Sequence, residues 1–109
     1  MENLVSYLIE RLPGGMAYPA ARQLCLRFYC TADGVPDFLR PQLSRDGLAE
    51  TFGELARSGW IREASVEATR SNHWVEVIDS IYKQGANFVD IQRGEVLVRE
   101  MGFGEEGLS

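Results

Sequence analysis

Histidine and lysine are almost missing from this sequence: His73 and Lys83 are each the sole residue of their kind among 109. A single imidazole restricts acid–base catalysis and metal binding together. If residues 73–84 are helical, Glu76 lies one turn from His73 and could share a proton or a ligand with it. Two ligands fall short of the three or four that zinc takes, so no metal site and no cofactor are expected. His73 reads as a surface residue near a helix start. Cysteine is scarce too. Cys25 and Cys30 are five apart, which is neither a C-x-x-C nor a zinc-finger spacing. On one helix the rise alone would separate them by about 7.5 Å, beyond the span of an unstrained disulfide. No G-x-S-x-G elbow occurs. Pro13-Gly14-Gly15 lacks the Lys-Ser/Thr of a phosphate-binding loop and follows a helical pattern, so it reads as a helix stop. No apolar run approaches the roughly 18 residues that span a bilayer, and the polar N-terminal stretch does not fit a signal peptide. With few cysteines, these absences make the reducing cytoplasm the expected compartment.

What the sequence does contain is ordinary for a folded domain: 45% hydrophobic and 25% charged residues. A chain of this length can bury a core without disulfides or metal. The expected organisation is one globular domain over residues 1–101 and a flexible tail over 102–109. The net charge of −5 is uneven. Residues 1–59 carry six arginines against seven acidic residues, and residues 60–109 carry five basic against nine acidic residues. An acidic surface repels phosphate backbones and anionic membranes, which argues against nucleic acid or membrane as partner. Ten of the eleven basic residues are arginine.

Periodicity gives a mainly helical α+β fold. Leu4, Val5, Leu8, Ile9 and Leu12 mark one face of a helix over about 2–12, closed by Pro13-Gly14-Gly15. Pro19 suits the first turn of a second helix over 19–31, with Ala21, Leu24, Cys25, Phe28 and Tyr29 as its stripe. Val35 to Leu43 holds two prolines and reads as a connection with at most one helical turn. Ser44 or Asp46 can cap a third helix over 46–58, whose buried side is Leu48, Phe52, Leu55 and Ala56. Gly47 and Gly53 weaken that helix. Residues 60–84 leave two readings open, a hairpin or a strand near 60–67 followed by a helix. Trp74, Val75, Ile78, Ile81 and Tyr82 favour the helix, over 73–84. Residues 88–92 and 95–99, joined by Arg93-Gly94, read as a C-terminal β-hairpin.

The capped segment Asp46–Ser58 followed by Gly59-Trp60-Ile61 resembles the recognition helix and first wing strand of winged helix-turn-helix domains, over about twenty residues. Such a helix presents basic and amide side chains to DNA. Here Arg45 and Arg57 are opposed by Asp46, Glu50 and Glu54. The resemblance therefore implies a winged-helix-like fold that serves protein contacts in place of DNA.

With no catalytic constellation in view, the expected function is a small acidic protein-binding regulator or inhibitor without catalytic activity. Its expected partner is another protein with a basic surface. The alternatives are a winged-helix-like transcription regulator and a small enzyme or accessory subunit. The candidate partner-binding residues are Trp60, Trp74 and Phe103, since large aromatics anchor interfaces, with the acidic Glu105 and Glu106 beside them. Phe103 stands in a glycine-rich stretch that offers no evident core.

Overall fold

The computed structural model describes residues 3–12 and 14–84. The expected hairpin at 88–99 and the tail at 102–109 lie outside those residues. Within them the protein is mainly helical, with a two-stranded parallel sheet.

Helix α1 spans Leu4–Arg11, and Asn3 caps it by accepting from the Ser6 N–H at 2.8 Å. Another donor of the first turn, the Leu4 N–H, goes to the side-chain oxygen of Gln42 at 2.9 Å, so the helix start is also a tertiary joint. Two residues, Met16–Ala17, form strand β1. Helix α2 follows directly over Tyr18–Cys30, with Pro19 in its first turn, where the missing N–H has no intrahelical partner to lose. The connection after it is more helical than its prolines foretold: Asp37–Leu43 is a seven-residue 3-10 helix that accommodates Pro41.

Helix α3, Arg45–Arg57, is capped by Ser44, whose hydroxyl accepts from the Gly47 N–H at 3.1 Å. Asp46 falls in its first turn instead, where a carboxylate suits the helix dipole. Of the two interior glycines, Gly47 is required by a close contact, since a Cβ there would collide with the Gln42 carbonyl oxygen. One on Gly53 would meet the Arg57 guanidinium at 3.3 Å and the Ser71 backbone at an ordinary 3.4 Å. Gly47 lets neighbouring backbone approach α3, which touches α1, α2, the 3-10 helix and the elements that follow it.

The region after α3 departs from the sequence expectation. Strand β2 is only Ile61–Arg62. It pairs in parallel with β1, Met16 opposite Ile61 and Ala17 opposite Arg62. Glu63 then takes a left-handed φ of 62°, which ends the strand, and Glu67–Thr69 closes into a short 3-10 turn. No strand returns beside β2 among the described residues, so the wing of a winged helix is not formed there. Helix α4 spans Ser71–Gln84, two residues longer at its start than the periodicity indicated.

The core gathers Leu4, Leu8, Leu24, Phe28, Leu48, Phe52, Leu55, Ile61, Trp74 and Ile78, all fully buried. Full burial of such a side chain is worth about 1.5–3 kcal/mol each. On α4 it is Val77, not Val75, that joins Trp74 and Ile78 in the interior. Both cysteines are free thiols; Cys25 is buried and Cys30 is exposed at the end of α2. Burial pushes the Cys25 thiol far above its ordinary range, so it is an inert core residue.

Candidate functional site

Two loops meet at the N-terminal ends of β1 and β2 and build an open corner. The first, Gly14-Gly15, leaves α1 through a turn in which the Gly15 N–H donates to the Leu12 carbonyl at 2.8 Å. The second, Ser58-Gly59-Trp60, leaves α3. Its Ser58, Gly59 and Trp60 N–H groups return to the carbonyls of Glu54, Ala56 and Leu55 at 3.0, 3.3 and 2.9 Å. The Met16 N–H then crosses to the Trp60 carbonyl at 2.8 Å and stitches the loops together.

That crossing dictates glycine at position 15. Its φ is +76°, and a Cβ would sit 2.6 Å from the Trp60 carbonyl oxygen, so an L side chain is excluded by conformation and by space alike. Gly59 also holds a left-handed φ, +86°, but its missing side chain faces open space. Between the loops lies an open depression of about 230 Å³, lined by Gly14, Gly15, Ser58, Gly59 and Trp60. Trp60 is half-buried, packed on the core from outside.

A second cluster joins the starts of α2 and α4. The Tyr18 hydroxyl and His73 Nε2 share a hydrogen bond of 2.7 Å. Both rings lean on Trp74, with centroids 5.7 Å from Tyr18 and 5.4 Å from His73. His73 is therefore a half-buried partner of a tyrosine and not the simple surface residue expected from its position. Glu76, the neighbour proposed for it on helical spacing, is exposed.

Of the residues chosen from sequence as partner anchors, Trp60 lines the open corner. Trp74 does not reach a surface: it is fully buried, stacks at 5.2 Å on Phe52, and donates its indole N–H to the Ala68 carbonyl at 2.8 Å. It is a core residue, because the turn at Glu67–Thr69 supplies the buried acceptor an indole needs. Phe103, Glu105 and Glu106 lie outside the described residues. The sequence reading missed Phe38, which is 59% exposed on the 3-10 helix, and Val66, 75% exposed before the short turn. It also read Gly14, Gly15 and Gly59 only as helix stops. The one available signal is that two glycine stops stand one and two residues before a short strand.

The face of α3 turned to solvent carries Arg45, Asp46, Glu50, Glu54 and Arg57, whereas Leu48, Ala49, Thr51, Phe52, Gly53, Leu55 and Ala56 are buried. Arg45 pairs with Asp79 of α4 at 3.3 Å, and Arg57 donates to the Thr69 carbonyl. Both arginines thus make contacts within the domain. Among the described residues no three of His, Cys, Asp and Glu converge as a metal site would require. No described helix is long and apolar enough to cross a membrane.

Comparison with protein-family models, with curated proteins and with solved structures gives no match.

Proposed function

We propose that this chain is a small acidic regulator or inhibitor that acts by binding another protein with a basic surface. The observation that carries the reading is Trp60, a half-buried tryptophan at the rim of an open depression. Tryptophan is among the residues that dominate binding energy at interfaces. The net charge of −5 supports a basic partner. So does its distribution: residues 85–109 hold Asp90, Glu95, Glu100, Glu105 and Glu106 against Arg93 and Arg99. Complementary charge steers such partners together and excludes nucleic acid. A DNA-reading role for α3 is disfavoured by its burial and by the engagement of Arg45 and Arg57 within the domain.

The test is affinity capture on the immobilised full chain in extract of the native cell, then reconstitution with the purified candidate. A direct complex that weakens as salt rises supports the reading. Salt-steep binding to random duplex DNA, with no protein retained, would refute it in favour of the winged-helix-like regulator. The Tyr18–His73 pair favours a different second reading, a small enzyme or accessory subunit. Loss of an activity of the reconstituted complex in His73→Ala, with binding intact, would promote that alternative.

A further inference from the structure

Hydrogen-bond accounting around the corner is lopsided. The N–H groups of Gly15, Ser58, Gly59 and Trp60 all donate within the chain, and the Ser58 hydroxyl donates to the Leu55 carbonyl at 3.2 Å. By contrast, the carbonyl oxygens of Gly14, Ser58 and Gly59 accept from no described residue. Of the five lining residues, only Gly14 has an N–H with no partner among the described residues. The lining residues therefore offer more unengaged acceptors than donors, and Trp60 is one of them.

From this we infer that the depression is a docking site for one cationic side chain, arginine or lysine, projecting from the partner. The inference rests on the protein-binding reading above and names the chemistry of the contact. Arginine and lysine are all donor and no acceptor, so they match unengaged carbonyls. Their charge is attracted to an aromatic face, tryptophan best. A carboxylate or phosphate would meet mainly carbonyl oxygens and be repelled. An apolar side chain would strip those oxygens of water and give no donor in return. Arg62 and Glu63, the exposed charges that follow Trp60, oppose each other in sign. Acceptor chemistry, more than local charge, selects the ligand.

Gly14 supplies a clean way to close the site. It lines the depression, and nothing described lies within 4 Å of where its Cβ would stand, so Gly14→Leu brings a side chain to the site without a clash against the described residues. The experiment titrates the ¹⁵N-labelled full chain with three capped tripeptides, Gly-Arg-Gly, Gly-citrulline-Gly and Gly-Leu-Gly. The arginine peptide should move the amide resonances of Gly14, Gly15 and Gly59 and the indole N–H of Trp60. Citrulline, neutral and nearly isosteric, should bind roughly tenfold more weakly. Gly14→Leu should abolish these shifts while keeping the thermal midpoint. Trp60→Leu, if folded, should lose most of the preference for arginine over citrulline. Equal shifts from citrulline or leucine, no shift at tens of millimolar peptide, or shifts confined to the acidic residues 90–106 would each overturn the inference. If a purified partner binds Gly14→Leu as well as the parent, this site falls while the protein-binding reading stands. If no partner exists, the peptide titration still decides the site.

Discussion

The two tryptophans occupy opposite kinds of surroundings. Trp74 is enclosed by Phe52, Tyr18 and His73, and its one polar atom is answered by Ala68. Trp60 sits between glycines at a corner whose main-chain acceptors are left unanswered. Both residues look alike in the sequence, each followed by a β-branched residue. The difference lies in what the chain nearby provides. A 3-10 turn with a carbonyl for its indole makes one tryptophan structural, and glycine loops without such a partner leave the other half-buried. A buried tryptophan whose indole N–H is already bound has nothing to offer a partner, and the corner does.

Substitutions can press on that contrast, and the largest effect belongs to the interior. Trp74→Ala should cost about 3–5 kcal/mol in chemical denaturation, the range for losing a large core aromatic. A cost under about 1 kcal/mol would show that the enclosure of Trp74 is illusory. At the corner, the neighbouring glycines should behave differently from each other. Gly15→Ala should lose at least about 1–2 kcal/mol, since a left-handed L residue alone costs that much before the clash with the Trp60 carbonyl. Gly14→Ala should stay within about 0.5 kcal/mol of the parent. Equal responses at the two positions would dissolve the corner as described.

Smaller effects test how α3 is held between the two regions. Ser44→Ala removes the cap on the Gly47 N–H and should cost about 1 kcal/mol, read as a lower denaturation midpoint with unchanged slope. Arg45→Ala breaks an ion pair with Asp79 whose partners are both well exposed. It should change stability by no more than about 0.5 kcal/mol, and by less as salt rises. A loss of several kcal/mol would mean that the α3–α4 contact depends on charge and not on Trp74 and Phe52.

Much of the helical frame was legible because its signals are local. Pro19 and Ser44 mark helix starts, and the stripes Leu4–Leu8 and Leu48–Phe52–Leu55 repeat at helical spacing. Two prolines hid the 3-10 helix over Asp37–Leu43, because proline opposes an α-helix interior far more than a tight turn of this kind. Strand β1 was invisible for a different reason: two residues carry no periodicity, and Met16–Ala17 is a strand only by virtue of Ile61–Arg62. The candidate site shared that fate. Gly15 is explained by a carbonyl 45 positions later in the chain, and no local pattern announces such a meeting. Trp60 was singled out by residue type, which could not separate it from Trp74.

The hydrogen bond from Met16 to Trp60 carries a consequence for the order in which the molecule assembles. Closing a loop of that length costs about 3 kcal/mol in chain entropy, and the few backbone bonds of so short a sheet, about 1 kcal/mol each, outweigh it only with the burial of Met16 and Ile61 against the helices. That burial needs the helices in place, so the corner does not nucleate folding. It forms once α2 and α3 have docked and brought its ends within reach, and by the same arithmetic it is the first of these contacts to let go. In native-state hydrogen exchange the Met16 amide should therefore open without the helices, while the amides around Phe52 wait for global unfolding. A surface that closes last and opens first can be reshaped at low cost without disturbing the interior on which it rests.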